Sequence, residues 1–465
     1  MKGLYFDGQW QEPAINDQID VENPFSREII ASVAATHEED VNKAVASAKS
    51  ALSNWKNTPL PERIELVKKL TLRLEKRRED FAAIIRDELG CGKDMAMNIQ
   101  FLSYIKAMFT YMEEAKKLNL AEKNDSYTVY KEPYGVVACL TPWNYPFGQI
   151  IQKIIPAVIM GNTVVLKPSQ KTPLVAIELF KEIDQVGFPP GVLNLTTGRG
   201  SEVGNILATH PDVRMVTFTG STSGGKEIAK LAADSVKRVI LELGGKSAAV
   251  ILDEADLNLA ARRVLFTVCS NVGQTCSAQT RVLYPRKLED KVIKAFQRQA
   301  KDFSFATPDN HDTRVGILAS QKQTERVWGY VNQAIDQGAE LAIGQKPAEQ
   351  EGYYTELMVL KNVSNRDKIA QEEVFGPVIV MIPYDSEQEA LAMANDSIYG
   401  LSGAVFGPPD QALEFAKQME TGQIFINDSS GSGAPFGGYK QSGYGREGGK
   451  YGLLEFVQLK TVFTP

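Results

Sequence analysis

The feature that most constrains the fold of this chain is an alternation of short β-branched runs with helical stretches. From Gly135 onward the β-like runs cover residues 136–141, 163–167, 192–197, 213–219 and 239–242. Strands separated by helices in this way form βαβ units around a parallel sheet. Ligands of such sheets bind beyond the carboxyl ends of the strands. The residues that follow each run are therefore the first candidates for a site.

A second alternating set of runs predicts a second α/β domain. Its β-like runs cover residues 248–253, 281–284, 378–383, 404–406 and 423–427. A chain of 465 residues is too long for one compact core, so two or three domains are expected. The pieces 127–131 and 456–463 fit neither set, and they could pair with each other or with another subunit.

Helical patterns fill the first third of the chain. Apolar residues between Val41 and Trp55 recur at steps of four and three, which is the pattern of one helix face. After Pro59 and Pro61, residues 62–89 form one long, charged, amphipathic stretch. These residues show no candidate chemistry, and we expect them to form helices packed on a domain.

Composition excludes several classes of protein. The net charge of −6 argues against nucleic-acid binding, which needs a basic face. The four cysteines include no C-x-x-C pair and have none of the three histidines nearby, so a disulfide framework and a His/Cys metal site are not expected. The start of the chain does not resemble a signal peptide, and the apolar stretch 147–160 is broken by Lys153 and Pro156. We expect a soluble cytoplasmic protein with no metal, membrane or nucleic-acid partner.

Cys276 is the best candidate nucleophile in the sequence. A free cysteine is more often a small buried hydrophobe, and we assign the other three cysteines to packing. Cys276, however, follows Gly273, Gln274 and Thr275 and comes after a cofactor-like sheet. If a new element began at Cys276, its backbone N–H groups could lower the pKa of the thiol.

Glu242 is a lone carboxylate at the end of an apolar run. Such a group is costly to bury unless something uses it or pairs with it. One interpretation is a structural ion pair with Lys246, four residues later. The other is a general base, because partial burial would raise the pKa of the carboxyl toward the range useful for catalysis.

Two glycine-rich segments could bring backbone N–H groups to a phosphate. Residues 218–225 read FTGSTSGG and lie between a strand and a helical stretch. Residues 198–204 read GRGSEVG, which has three residues before its last glycine where the G-x-G-x-x-G pattern has two. We interpret the second segment as a tight turn that could also contact a cofactor through Gly204.

Other polar residues lie next to the ends of predicted strands. Asn144 follows the first run in TPWNYP, and its amide could donate to a developing oxyanion. Lys167 and Gln170, in KPSQ, close the next run and offer hydrogen-bonding groups to a nucleotide. Glu373 and Phe375 lie ahead of the 378–383 run. Each of these signals is weak alone, because proline and asparagine end strands in any protein.

Together these segments resemble the aldehyde dehydrogenase superfamily. The resemblance runs from the N-terminal segment to the C-terminal strand, in family order. Its marks are TPWNYP at Thr141, VVLKPS at Val164, FTGS at Phe218, LELGGK at Leu241, GQTCSA at Gly273, EEVFGP at Glu372 and PFGGYKQSGYGRE at Pro435. Seven blocks in the same order make the resemblance very specific.

The resemblance implies an α/β fold built from three parts. A Rossmann-like cofactor domain would cover residues 1–121 and 133–245, and an α/β catalytic domain would cover residues 246–445. A small β oligomerisation extension would be shared between residues 122–132 and 446–465. Members of the family form dimers or tetramers, so the resemblance implies a homodimer or homotetramer.

The resemblance also implies the catalytic roles. Cys276 matches the nucleophile that attacks the aldehyde, and Glu242 matches the general base that activates water. The side chain of Asn144 and the backbone N–H of Cys276 match the oxyanion hole. Lys153 matches a lysine that takes part in proton relay. The reaction would pass through a thiohemiacetal and a thioester, and it would release the carboxylic acid.

For the cofactor, the resemblance implies NAD or NADP. It assigns the adenosine ribose to Lys167 and Gln170, the pyrophosphate to Gly220, Ser221 and Gly225, and the nicotinamide ribose to Glu373 and Phe375. We expect further contacts at Pro142, Trp143, Ser169 and Gly204. Many NAD-preferring members carry glutamate where this chain has Gln170. We therefore expect both cofactors to be accepted, with NAD somewhat favoured.

Three alternative functions are disfavoured by the same residues. A non-catalytic homologue would be expected to lose Cys276 or Glu242, and both are present. A reductase that transfers the acyl group to coenzyme A typically lacks the glutamate. A cysteine hydrolase without a cofactor would need a histidine partner, and none lies near Cys276 in the sequence.

Overall fold

Two sheets of mainly parallel strands, each covered by helices, organise the chain. The computed structural model describes residues 3–347, 352–431 and 433–464. The N-terminal region contains β1 (Leu4–Phe6), β2 (Gln9–Trp10), β3 (Gln18–Glu22), β4 (Ile29–Ala34), α1 (Glu38–Trp55), α2 (Leu60–Lys76), α3 (Arg78–Leu89), a π-helical segment (Met95–Leu102) and α4 (Ser103–Lys116). In the described residues no helix is both long and apolar enough to cross a membrane.

The amphipathic stretch of residues 62–89 forms two helices, α2 and α3, in the structure. Arg77 leaves helical geometry between α2 and α3, with φ −105° and ψ 20°. Its guanidinium donates to Glu178 and Glu182, which belong to a helix of the first sheet described below. The sequence pattern missed the break because apolar residues continue at helical spacing on both sides of it.

The first sheet contains the five strands predicted between residues 136 and 242. The chain continues through β5 (Ala121–Lys123), β6 (Tyr127–Pro133), β7 (Val136–Leu140), α5 (Pro146–Ile159), β8 (Thr163–Lys167), α6 (Leu174–Val186), β9 (Leu193–Thr196), α7 (Gly200–Thr209), β10 (Val213–Thr219), α8 (Thr222–Ala233) and β11 (Arg238–Glu242). The strand order is β2-β1-β9-β8-β7-β10-β11-β21, where β21 (Gly443–Tyr444) comes from late in the chain. The central strands from β9 to β11 are parallel. The chain order reverses between β7 and β10, and a crevice forms at such a switch point.

The second sheet confirms the second α/β domain. It is built from β12 (Ala248–Ile251), α9 (Leu257–Cys269), β13 (Arg281–Pro285), α10 (Glu289–Ala300), α11 (Gln321–Asp336), β14 (Glu340–Ile343), β15 (Met358–Lys361), α12 (Lys368–Gln371), β16 (Val378–Tyr384), α13 (Glu387–Asn395), β17 (Tyr399–Gly400), β18 (Ser402–Phe406), α14 (Pro409–Ala416) and β19 (Gln423–Ile426). Short 3₁₀ segments lie at Ser270–Gly273 and Arg286–Leu288. The strand order is β14-β15-β16-β13-β12-β18-β19. β14 and β15, which are only four residues each, were not predicted.

The remaining strands form small pairings. They are β20 (Tyr439–Lys440), β21 (Gly443–Tyr444) and, after α15 (Gly449–Leu454), β22 (Val457–Phe463). The two unassigned β-like pieces of the sequence pair with each other, because β22 lies antiparallel to β6 in a sheet of order β22-β6-β5. β21 joins the edge of the first sheet through β11, although it lies in the segment predicted to be catalytic. The three-part division of the chain stays a prediction.

Candidate active site

A cavity of about 470 Å³ lies at the switch point of the first sheet. It collects residues that follow β7, β8 and β10, together with residues that precede strands of the second sheet. Most predicted site residues line it, namely Pro142, Trp143, Asn144, Lys167, Ser169, Gln170, Gly204, Gly220, Ser221, Cys276, Glu373 and Phe375. Lys153, Glu242 and Gly225 do not belong to this lining.

The N-terminus of α8 forms one wall of the cavity. Ser221 is the N-cap, and its hydroxyl oxygen accepts a hydrogen bond of 3.1 Å from the N–H of Gly224. Free N–H groups in the first turn of a helix favour an anion. Gly225 has a packing reason instead, because a Cβ there would clash with the side chain of Leu243. Its predicted contact with the pyrophosphate is thus not needed to explain the glycine.

Lys167 places a buried cation at the cavity. Its side chain is 5% exposed, and burial lowers the pKa of the ammonium to about 8. Gln170 is exposed at the same edge. Lys171, in contrast, turns toward the second sheet, where its ammonium donates to Ser320 Oγ at 2.7 Å and lies 5.1 Å from the centre of the Trp143 ring. Donor groups for a negatively charged nucleotide therefore line this end.

Cys276 lies in a turn and does not begin a helix. The loop before it is tight, with left-handed φ values of 50° at Asn271 and 57° at Val272. The predicted lowering of the thiol pKa is not found. Burial raises the pKa of the Cys276 thiol, and the carboxylates of Glu373 and Glu242 add to the effect. A nearby base must therefore take the proton before the sulfur can act as a nucleophile.

The side chain of Asn144 is held beside the Cys276 loop. Its amide nitrogen donates to the carbonyl oxygen of Gln274 at 2.9 Å. The backbone oxygen of Asn144 accepts hydrogen bonds from Gln100 and Asn271, at 2.8 and 2.7 Å. One N–H of the amide is committed to Gln274, which leaves the second N–H as a donor at the cavity.

Glu242 ends β11 with its carboxylate buried, at 2% exposure. The ion pair with Lys246 that one interpretation predicted is wrong, since neither carboxylate oxygen has a hydrogen-bond partner among the described residues. Burial raises the pKa of Glu242 well above its usual value, and the nearby Glu447 raises it further. Lys153 and Arg446 oppose that shift. The expected rise in pKa is thus present.

Lys153 forms a buried ion pair with Glu447, with 2.5 Å between Nζ and Oε1. Beside this pair, the Tyr111 hydroxyl accepts a hydrogen bond of 2.9 Å from the N–H of Gly448, the residue that follows Glu447. Glu447 was not predicted as a site residue, although it is the last residue of the quoted block PFGGYKQSGYGRE. Glu447 lies near enough to Glu242 for its charge to raise the pKa of that carboxyl.

Glu373 and Phe375 form the wall contributed by the second sheet. The N–H of Gly245 donates to Glu373 Oε1 at 3.1 Å, and burial raises the pKa of Glu373 to about 7. The ring of Phe375 meets that of Trp143 edge-on, with 5.5 Å between centroids. Gln323 and Arg326 on α11 also line the cavity, and sequence analysis missed both. They lie on an ordinary amphipathic helix, so no local pattern marked them.

Comparison with known proteins identifies relatives across the whole chain. A family model described as the aldehyde dehydrogenase family matches residues 10–462. A Staphylococcus aureus relative, whose name assigns it to the aldehyde dehydrogenases, is 40% identical, with 98% of both chains covered. Among solved structures, aldehyde dehydrogenase C of Pseudomonas syringae, a mutant bound to NAD⁺ and octanal, has 36% identity and a TM-score of 0.96, covering 99% of this chain and 96% of its own. A Mycobacterium tuberculosis aldehyde dehydrogenase bound to NAD⁺ has 37% identity and a TM-score of 0.96, covering 100% and 98%.

Proposed function

This chain belongs to the aldehyde dehydrogenase family, which oxidises aldehydes to carboxylic acids with NAD(P)⁺, and we propose that Cys276 and Glu242 perform that reaction here. One observation carries the proposal. Cys276 lines the cavity beside the amide of Asn144. The carboxylate of Glu242 lies near enough to raise the pKa of the Cys276 thiol, and it has no hydrogen-bond partner among the described residues.

The cavity fits a nicotinamide dinucleotide. Lys167 offers a buried ammonium group whose pKa is lowered by burial. The first turn of α8 offers N–H groups to a pyrophosphate. Solved relatives that share this fold bind NAD⁺. When bound, the cofactor supplies the acceptor that oxidises the thiohemiacetal to a thioester.

The first chemical step uses Cys276 and Asn144. The sulfur forms a bond to the carbonyl carbon of the aldehyde, and the carbonyl oxygen takes up the negative charge. The free N–H of the Asn144 amide and the backbone N–H of Cys276 stabilise that charge as an oxyanion hole. Because burial raises the pKa of the Cys276 thiol, one of the two carboxylates that act on it, Glu373 or Glu242, accepts its proton.

The second step uses Glu242 as a general base. Its carboxylate takes a proton from water, and the resulting hydroxide attacks the thioester carbon and displaces the sulfur. The acid is released and Cys276 is restored. The raised pKa of Glu242 suits this role, because a base works best when its pKa is near the working pH. The adjoining pair of Lys153 and Glu447 can pass the proton onward.

We also propose that the protein is a cytoplasmic homodimer or homotetramer assembled through β22. One face of this edge strand is largely apolar, and on it Leu459 is 69% exposed and Phe463 is 77% exposed. An open apolar edge of this kind is normally covered. Four free cysteines agree with a reducing compartment. Light scattering at micromolar concentration should give at least twice the monomer mass of 51.2 kDa, and a monomer would refute the assembly.

A panel of aldehydes assayed with each cofactor tests the proposed function. The purified protein should reduce NAD⁺ in the presence of an aldehyde, as followed by absorbance at the band of the reduced nicotinamide. Mass spectrometry should find the matching carboxylic acid in equal amount. Octanal is a reasonable first substrate, because a solved relative binds it. Acyl transfer to coenzyme A without free acid would contradict the hydrolytic role of Glu242.

A further inference from the structure

The turn ahead of β16 is strained. Phe375 has φ +64°, a left-handed conformation that is unfavourable for a bulky residue. Such a conformation persists only where neighbouring groups hold it. The turn of residues 373–375 also presents the side chains of Glu373 and Phe375 to the cofactor cavity.

Side chains on one face of α11 donate hydrogen bonds to the backbone carbonyl groups of this turn. Arg326 Nη2 donates to the backbone oxygen of Glu373 at 2.5 Å, and Nε donates to Val374 at 3.4 Å. Gln323 Nε2 donates to the backbone oxygen of Phe375 at 2.6 Å and to that of Val374 at 3.4 Å. Two side chains three residues apart on α11 thus bind every carbonyl of the turn.

The same helix is attached to the other end of the cavity. Ser320, the N-cap of α11, accepts the hydrogen bond from Lys171, whose ammonium also lies over Trp143. At the turn itself, Gly376 packs so tightly on Val327 that a Cβ there would clash. α11 therefore fixes the distance between the turn and the loops that follow β7 and β8.

We propose that Arg326 and Gln323 are positioning residues that hold the strained turn 373–375 in the shape that receives the nicotinamide half of the cofactor. The proposal rests on the cofactor site described under the proposed function. Each side chain acts through the backbone of Glu373–Phe375. Loss of either lets Phe375 relax toward an ordinary backbone conformation and moves the wall of the cavity that Glu373 and Phe375 form.

Arg326→Ala is the first test. The dissociation constant for NAD⁺, measured by calorimetry without turnover, should rise about tenfold, because the variant loses both hydrogen bonds that the guanidinium donates to the turn. Binding of ADP, which lacks the nicotinamide half, should change less than about twofold, and so should the KM for the aldehyde. Arg326→Lys should recover part of the affinity, since an ammonium can still donate to one carbonyl. Arg262→Ala, which removes an exposed arginine from α9, is the matched control.

A double-mutant cycle separates positioning from direct contact with the cofactor. Phe375→Gly removes the strain, because glycine adopts this φ freely. Arg326→Ala should then cost much less NAD⁺ affinity than it does in the wild-type protein. A full tenfold loss in the glycine background would show direct contact and overturn the proposal, as would an unchanged dissociation constant in the single variant. Gln323→Ala provides a second variant if Arg326→Ala does not fold. Failure of the wild-type protein to bind NAD⁺ would instead count against the proposed function.

Discussion

The two parallel sheets contribute opposite edges to the same cavity. The first sheet contributes the carboxyl ends of its strands, where Lys167 ends β8 and Asn144 follows β7. The second sheet contributes residues that precede its strands, with Cys276 ahead of β13 and Glu373 ahead of β16. The rule that ligands lie beyond the carboxyl ends of strands therefore holds for one sheet and fails for the other.

The difference follows from what each edge offers. A carboxyl edge leads into helix N-termini, whose N–H groups suit a nucleotide phosphate. An amino edge lacks those N–H groups, and this one carries side chains fixed by tight loops such as the one before Cys276. The charges differ too, since Lys167 faces the nucleotide end while Glu373 lies near the thiol. Substitution of Cys276 should therefore alter the chemistry without altering the nucleotide end of the cavity.

The largest effect is expected for Cys276→Ala. Removing a nucleophile should lower aldehyde turnover by roughly 10³-fold or more. The affinity for NAD⁺ should change little, because the sulfur lies at the edge contributed by the second sheet and not at the nucleotide end of the cavity. Steady-state kinetics and calorimetry measure the two quantities. Cys269→Ala, which changes a buried cysteine of α9, should keep turnover near that of the wild type. Even a tenth of wild-type turnover in Cys276→Ala would show that the assignment is wrong.

Glu242→Gln should separate the two half-reactions. Oxidation to the thioester leaves one reduced cofactor per site in a rapid burst, and hydrolysis then becomes about 10²-fold slower because the base is missing. Stopped-flow absorbance measures the burst, and intact-mass spectrometry should detect the acyl-enzyme. The exposed Glu227→Gln variant on α8 is the control. Absence of any acyl-enzyme would argue against this role.

The third prediction concerns pH. Glu242 acts as a base when ionised, so hydrolysis should rise with pH through its raised pKa and fall about tenfold per pH unit below it. Because Glu447 helps to raise the pKa of Glu242, Glu447→Gln should move the rising limb of the plot of hydrolysis rate against pH to lower pH. Pre-steady-state rates measured across pH test both statements. A limb that persisted unchanged in Glu242→Gln would belong to another group.

The smallest effect is expected for Gln170→Glu, at the nucleotide end of the cavity. A carboxylate there would repel the 2′-phosphate of NADP and would still accept hydrogen bonds from the ribose of NAD. Since Gln170 is exposed, water and salt screen the charge, and the ratio of kcat/KM values should shift toward NAD by about tenfold or less. Gln185→Glu, exposed on α6, is the control. An unchanged ratio would place the 2′ position away from Gln170.

Much of this arrangement could be predicted because strands and loops follow local patterns. The runs between residues 136 and 242 became β7 to β11 with shifts of only one residue at some ends. The block that contains Cys276 indicated a reactive thiol, and the structure places that residue at the cavity. The break at Arg77 was not predicted, and the acids on α6 that its guanidinium contacts lie more than 100 residues away.

The sequence by itself determined the two α/β units, the order of the strands along the chain and the residue types available for chemistry, because periodicity and turn residues act over a few neighbours. Only the tertiary structure decided the electrostatics of the site. It left Glu242 without Lys246 as a hydrogen-bond partner, and it paired Lys153 with Glu447, 294 residues away. It also placed Arg326 on the carbonyls of a strained turn. Burial and charge partners depend on which distant segments meet, and that is settled only when the two sheets close on each other.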